Sequence, residues 1–338
     1  MQPLPFVSVI TTYYNSVRLG DFVKSSMNCL LNQTYKNIEF ICINDGSTDS
    51  TLQDLEYFAK QDLRIKIFTK ENQKYAQYSK AYGQEKANGD FIFLFDHDDL
   101  IDLDTIEKCI DTFRKNPELD IVTPIVKTIF RDGKIKYIYN LDTDYNSENE
   151  FEFRKIMGKQ AIQQTVGRYD IHIRGLYRKE IFKSYSFAFT EPLLNADEIT
   201  ERFIFENTRY IGSCDAVYTH YIHPDSSAKL PSLKRIDLVR TDVLLRNIFK
   251  GKEIYNPRKS IFELTAYKNL VNAIKTFHLF SKKMDIDEKL SLKKRLYEAY
   301  SELDKKNIIS QFKGIGRIYN SFLISNFSLL MFFYKYKS

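Results

Sequence analysis

Over the first 125 residues, short apolar runs alternate with amphipathic stretches, and that alternation leaves few folds open. Phe6–Thr12 (FVSVITT) reads as a strand and is followed by helical periodicity over Leu19–Leu31. Ile38–Ile43 (IEFICI) is a second strand, and Asp49–Ala59 a helix led by Ser47 and Thr48 as cap candidates. Ile65–Phe68 gives a third short strand and Tyr75–Ala87 a helix. Phe91–Phe95 (FIFLF) is so apolar that both its faces must be covered. Thr105–Arg114 and Ile121–Ile125 add a helix and a strand. Strands separated by helices of this length imply right-handed βαβ units in a doubly wound, mostly parallel α/β sheet.

Beyond Ile125 the rhythm changes. Lys127–Tyr139 is expected to form a hairpin turning at Asp132-Gly133. A polar linker (LDTDYNSENE) follows, and mixed short elements run to about His223. From Leu233 the pattern is helical, with three or four helices separated near Gly251–Pro257, Met284–Asp287 and Lys313–Gly316. The expected organisation is a sheet domain over 1–232, with halves 1–110 and 111–232, and a helical region over 233–338.

Hydrophobic residues at 43% and charged residues at 28% exclude a disordered or collagen-like chain. Cys29, Cys42, Cys109 and Cys214 stand far apart without a CxxC pair, so neither a zinc cluster nor a disulfide framework is signalled. Cys42 and Cys109 lie in apolar patterns and read as core residues; a reducing cytoplasm is the simplest home. The N-terminal MQPLPFVSVITTYYN lacks the basic region of an export signal. No uninterrupted apolar run of about 18 residues occurs, so no membrane-spanning helix is expected.

The net charge of +6 conceals an asymmetry: from Lys234 onward 22 Lys and Arg face 10 Asp and Glu, a surplus of +12. A basic region behind an acidic body points to an anionic partner surface, with membrane headgroups foremost; the plainer reading is a solvated helical face. Basic residues such as Lys282, Lys283, Lys293, Lys294 and Arg295 punctuate these helices, and Phe322, Leu323, Phe327, Leu329, Leu330, Phe332 and Phe333 crowd the end. An interfacial anchor, a helical cap on the catalytic domain and an oligomer seam all fit this pattern. Nucleic acid is not expected, because no recognised motif accompanies the charge.

In open α/β sheets ligands bind beyond the C-terminal strand ends. Here those ends are polar: Thr11-Thr12-Tyr13-Tyr14-Asn15 after the first strand, Asn44-Asp45-Gly46-Ser47-Thr48-Asp49 after the second, and Asp96-His97-Asp98-Asp99 after the fourth. Neither GxGxxG after the first strand nor GxxxxGK[ST] is present. Three carboxylates in four residues after a buried strand are unfavourable without a neutralising cation. A hard divalent ion, Mg²⁺ or Mn²⁺, takes such oxygen ligands and shares them with substrate phosphates. The alternative is a helix N-cap at Asp102 or Asp104, which would explain one or two of the acids but not the cluster.

Ser8–Asn15, Asn32-Gln33-Thr34-Tyr35, Asn44–Asp49, and Asn88-Gly89-Asp90 leading into Asp96–Asp99 together resemble the ordered motifs of family 2 glycosyltransferases. The likeness covers roughly residues 6–227 and implies an inverting, nucleotide-sugar-dependent enzyme of the GT-A fold with a C-terminal helical extension. It implies that Thr11, Thr12, Tyr14 and Asn15 line the nucleotide pocket, that Asp45 with Gly46 meets the base (uracil being commonest), and that Asp96 lies near the ribose. Asp98, with Asp96 and Asp99, would hold the metal. Thr12 and Asn44 depart from the family's usual Pro and Asp, and Ser79-Lys80-Ala81 replaces its ARN, leaving Lys80 as a point charge in place of a guanidinium.

In Asn195–Arg202 the resemblance aligns Asp197 with the catalytic base, Glu198 being the fallback and a simple helix cap the alternative. Tyr218–Ser227 resembles the segment that closes over the diphosphate, with His223 at a basic or metal-binding position. The function so implied is metal-dependent transfer of a sugar from a nucleotide-diphosphate donor, UDP-linked, to a glycan or lipid-linked glycan acceptor in capsule, lipopolysaccharide or lipo-oligosaccharide synthesis. It would occur in the cytoplasm, peripherally on the inner membrane, with a homo-oligomer open. The alternative is a catalytically silent nucleotide-sugar-binding or scaffolding subunit of a glycan-assembly complex.

Overall fold

The computed structural model describes residues 3–138, 151–167, 174–182, 193–222 and 233–335. The chain divides into two compact units: Met1–Gln164 with Asp170–Thr190 and Thr200–Ser226, and Thr165–Tyr169 with Glu191–Ile199 and Ser227–Ser338. The second unit thus takes in two short stretches that precede residue 233.

The first unit opens with β1 (Val7–Tyr13), α1 (Ser16–Leu19), α2 (Phe22–Leu31), β2 (Ile38–Asn44), α3 (Thr51–Ala59), β3 (Ile65–Thr69), α4 (Ala76–Lys86) and β4 (Phe91–Asp96). These four strands pair in parallel in the order β3-β2-β1-β4. The expected single helix over Leu19–Leu31 is two, broken where Gly20 leaves helical geometry at φ 157°. Ser47 and Thr48 do not cap α3; Ser50 occupies the cap position, and Asp49 instead accepts from the Thr51 amide at 3.0 Å.

After β4 come β5 (Leu100–Ile101), α5 (Thr105–Lys115), β6 (Ile121–Ile129), β7 (Ile135–Ile138), β8 (Lys155–Met157), α6 (Gly158–Thr165), β9 (Leu176–Arg178), α7 (Ala196–Glu206) and β10 (Tyr210–Tyr221). Among the described residues the sheet has ten strands, on the path β3-β2-β1-β4-β9-β6-β10-β5, with β7 on β6 and β8 on β10. The β6–β7 hairpin turns at Gly133, φ 80°, as the Asp-Gly pair led one to expect. Beyond β4 antiparallel pairings dominate: β9 is antiparallel to both β4 and β6, and β10 to β5 and β8. The doubly wound half is therefore parallel and the second half mixed, because several of its strands have antiparallel neighbours instead of βαβ crossover partners.

Burial explains why these sequences settle as they do. Val7, Val9, Cys42, Ile43, Ile92 and Phe93 are fully enclosed, as strands covered on both faces require. The NGD segment is structural. The Gly89 amide donates to Ser8 Oγ at 2.8 Å, Asn88 N to Glu39 Oε1 at 2.7 Å, and Asp90 Oδ2 accepts from Phe6 N at 2.9 Å. A Cβ on Gly89 would lie 2.6 Å from Ser8 N, so only glycine allows this approach. All four cysteines are buried free thiols, Cys109 and Cys214 lying 3.6 Å apart.

The second unit is built from α8 (Leu238–Phe249), α9 (Tyr255–Phe280), α10 (Ile286–Glu302), α11 (Lys305–Ser310), α12 (Gly314–Ser325) and α13 (Phe327–Lys335) around Val243, Leu270, Ile274, Leu296, Ile308 and Leu330. Among the described residues six helices stand where three or four were expected. The additional breaks are cap-driven: Asp304 accepts from Asn307 N at 3.0 Å, and Asn326 Oδ1 from Leu329 N at 3.0 Å. Among the described residues no helix is long and apolar enough to cross a membrane.

Asp242, on α8, is 4% exposed and accepts from Asn269 Nδ2 at 2.7 Å. Burial pushes its carboxyl up to about 8, with the Asn269 bond opposing. The folded state therefore keeps a proton that the unfolded chain loses near pH 4, and stability falls as pH rises from about 4 to about 8. Asp242→Asn keeps the acceptor oxygen and removes the titration. Its melting temperature is expected to exceed the wild type's at pH 8.5 by several degrees and to approach it at or below about pH 4, as thermal melts at both pH values would show.

Candidate donor-binding site

The ends of β2, β1 and β4 lie side by side, and their loops are stitched together by the polar residues of the motifs. Asn15, left-handed at φ 50°, donates its amide to Ser47 Oγ at 3.1 Å and accepts from Thr48 N on Oδ1 at 2.8 Å. Ser16 N donates to Thr51 Oγ1 at 2.9 Å and Arg18 N to Asp49 Oδ2 at 3.0 Å. Thus Asn15, Ser47, Thr48 and Asp49 build the rim. Thr11 is enclosed at 1% exposure, whereas Thr12 is half-buried and Tyr14 exposed.

Asp45 sits at the end of β2, with its amide bonded to Tyr13 O at 2.8 Å. Its Oδ1 takes Lys70 Nζ at 2.6 Å, and Asn72 Nδ2 donates to its carbonyl at 3.0 Å and to Oδ2 at 3.3 Å. Gly46 has φ 68°, and a Cβ there would meet Asn72 N at 2.8 Å; the residue is glycine for backbone reasons as well as for access. Lys70 and Asn72 carry no motif and were not expected.

The β4 end carries the acidic group. In the parallel register Asp96 stands beside Thr12. Lys80 Nζ, from α4, lies 3.1 Å from Asp96 Oδ1, and Arg174 Nη2 lies 3.8 Å from Oδ2. Burial alone would raise the Asp96 carboxyl; Lys80 and Arg174 outweigh it and hold the group well below the usual carboxylate range. Lys80 therefore does supply a cation at this edge.

Asp98 is half-buried, and its carboxyl is pushed up first by burial and then by Asp96 and Asp99, with His97 opposing. That is the electrostatic condition a divalent ion relieves, and the oxygen donors suit Mg²⁺ or Mn²⁺. No group of three or more His, Cys, Asp or Glu suited to a metal occurs among the described residues. The carboxylate oxygens of Asp96 and Asp98 are donors of the type such an ion takes.

Asp99, expected to complete the metal group, is tied to the end of β10. Its buried carboxylate accepts from Tyr218 Oη at 2.8 Å, Tyr221 N at 3.1 Å and contacts His220 Nδ1 at 2.9 Å, with Arg174 Nε 3.4 Å away. Asp96 N donates to the same Tyr218 oxygen at 3.3 Å. Asp99 therefore locks the acidic turn onto the end of β10, and β5 adds a two-residue antiparallel pairing to the same strand. The ring of His97 packs 5.5 Å from Tyr13 and 5.8 Å from Phe22. His223 lies outside the described residues.

In the second unit, Asn195 is left-handed at φ 58° and accepts from Glu198 N at 3.0 Å, starting α7. Asp197 is exposed in the first turn of α7; Glu198 is 2% exposed and lines a cavity of about 10 Å³ with Asp242. The two acids that begin this helix therefore have opposite surroundings: Asp197 is open to solvent and Glu198 is enclosed.

Residues 8–186 match the family model described as "Glycosyl transferase family 2". The glycosyltransferase GlyG of Streptococcus pneumoniae is 30% identical over 155 residues, 46% of this chain and 50% of that protein. The uncharacterized glycosyltransferase YibD of Escherichia coli is 23% identical over 94% of this chain and 91% of its own. Several curated relatives, GlyG among them, are matched over only half their length or less. Among solved structures, S. aureus TarS 1-349 in complex with UDP-GlcNAc superposes with a TM-score of 0.64 at 16% identity, covering 94% of this chain and 90% of that one. A mannosyltransferase from Pyrobaculum calidifontis, in complex with GDP-Man and Mn²⁺, gives 0.54 at 13% identity, covering 98% and 86%. At such identities the structural likeness establishes the GT-A fold.

Proposed function

The chain belongs to glycosyltransferase family 2, and on that premise we propose that it transfers a sugar from a UDP-linked donor to a glycan or lipid-linked glycan of the bacterial surface, with inversion and with a divalent ion. The observation that carries this reading is the convergence of Asp45, Thr12 and the Asp96–Asp98 pair at three adjacent strand ends, where an α/β sheet binds its ligands.

In this reading Asp45 accepts the imide N–H of uracil, held in place by Lys70 and Asn72. Lys80 and Arg174 set a positive field beside Asp96, where the diphosphate carries its charge. Asp96 and Asp98 are the residues that would hold Mn²⁺ or Mg²⁺; when bound, the ion supplies positive charge to the departing diphosphate. Asp197 takes the acceptor hydroxyl's proton as that oxygen bonds to the anomeric carbon and the bond to UDP breaks. Its exposure favours it over the enclosed Glu198 for meeting an acceptor. The basic helical region brings the enzyme to the cytoplasmic face of the inner membrane, where a lipid-linked acceptor resides.

UDP release measured over a panel of UDP-sugars, beginning with UDP-GlcNAc, with Mn²⁺ or Mg²⁺ tests the proposal. Release that depends on one donor and on the ion is expected. UDP binding without release from any donor would favour the silent-subunit reading.

A further inference from the structure

The second unit leaves one helix face without an intramolecular cover. On α12 (Gly314–Ser325), Ile315, Ile318 and Phe322 follow the i, i+3, i+7 spacing of a single stripe and are 85%, 74% and 70% exposed. Tyr319, at the margin of the stripe, is 47% exposed and keeps an edge contact with the Phe333 ring at 5.6 Å. Leu323 and Ile324, farther along the helix, are buried, so α12 is anchored at its C-terminal turns while its first turns project. Beside the stripe lies an open groove of about 760 Å³, lined by Ile309, Ile318, Phe322 and Leu329 with Arg317 at its edge. Stripes of this kind on a soluble surface mark a docking site.

The charge around the stripe selects the occupant. Among the described residues from Lys305 to Lys335 there are five Lys and Arg (Lys305, Lys306, Lys313, Arg317, Lys335) and no Asp or Glu, with Lys313 and Arg317 exposed at the N-terminal end of α12. We propose that the Ile315–Ile318–Phe322 face of α12 inserts into the interfacial layer of an anionic bilayer, with these cations engaging lipid phosphates. Apolar side chains on one face of a short helix, with basic heads beside them at Lys313 and Arg317, suit burial at the depth of the headgroups. A second copy of the chain would bring five further cations against these five, which charge repulsion disfavours. The inference deepens the proposed membrane-surface contact and stands apart from the transfer chemistry.

The test is flotation of the full chain with vesicles of phosphatidylglycerol and phosphatidylcholine in equal parts, and with vesicles of phosphatidylcholine alone. Binding to the anionic vesicles is expected, at least about tenfold weaker in ~0.5 M salt and at least about tenfold weaker for Ile318→Ser/Phe322→Ser. The double variant should keep wild-type UDP release from a soluble assay, so loss of membrane binding is separable from loss of transfer. Should that variant unfold, Lys313→Glu/Arg317→Glu, on exposed side chains, is expected to abolish binding to anionic vesicles. Wild-type protein that stays with neither vesicle, or variants that float as well as the wild type, would overturn the proposal. So would a concentration-dependent dimer in light scattering that Ile318→Ser/Phe322→Ser dissociates, since the face would then be a seam between copies.

Discussion

Asp98→Ala is expected to reduce donor turnover by about 10²–10³-fold while leaving the fold intact, by analogy with the loss of one donor that stabilises an oxyanion. The argument rests on the contrast among the three aspartates. Asp99 is spent on structure, bonded to Tyr218, Tyr221 and His220. Asp96 is balanced by Lys80 and Arg174. The Asp98 carboxyl is raised by burial and by its two acidic neighbours, with His97 opposing, so a cation beside it relieves a strain that Asp96 does not bear. Asp99→Ala should behave differently. It would release the turn from β10 and leave buried donors without an acceptor, so it should lower the melting temperature together with activity. Steady-state kinetics and melting curves on both variants separate the two roles. Comparable losses of activity with no loss of stability in Asp99→Ala would contradict the division.

Asp197→Asn is expected to lower kcat by about 10²–10⁴-fold with little change in the affinity for UDP, as removal of a general base should. The amide keeps the size of the side chain and the acceptor for the Glu198 amide, which now bonds Asp197 Oδ1 at 3.2 Å. Glu198→Gln should instead act on stability, since that side chain is 2% exposed and faces the cavity shared with Asp242. Full turnover in Asp197→Asn combined with a kcat collapse in Glu198→Gln would move the base to Glu198.

How much of this was legible in sequence follows from where the physics is local. β1, β2 and β4 were visible because a strand covered on both faces is mostly apolar, as FVSVITT, IEFICI and FIFLF are; where polar side chains intrude they pair, Ser8 Oγ donating to Glu39 Oε1 at 2.6 Å. Their polar ends marked the site edge for the same reason: polarity resumes where burial stops. Arg174 could not be found this way. It lies in the run Ile171-His172-Ile173-Arg174-Gly175, with no periodic or motif signal, and reaches Asp96 and Asp99 only through the β4–β9–β6 pairing. Lys70 and Asn72 likewise gain their meaning from the β2–β3 register. Ser47 and Thr48 looked like caps because their residue types suit that role, but Asn15 on a neighbouring loop competes for them and wins. The breaks at Asp304 and Asn326 do carry a signal, a short polar residue interrupting helical periodicity.

The central claim is that the adjoining ends of β1, β2 and β4 hold a nucleotide diphosphate. Calorimetric titration of UDP into the wild type and into Asp45→Ala, each with Mn²⁺, tests it most directly. The account predicts saturable one-to-one binding to the wild type and at least about tenfold weaker binding to the variant, the loss of one charge-assisted hydrogen bond. Equal affinity in the two proteins, or no binding to the wild type, would contradict it.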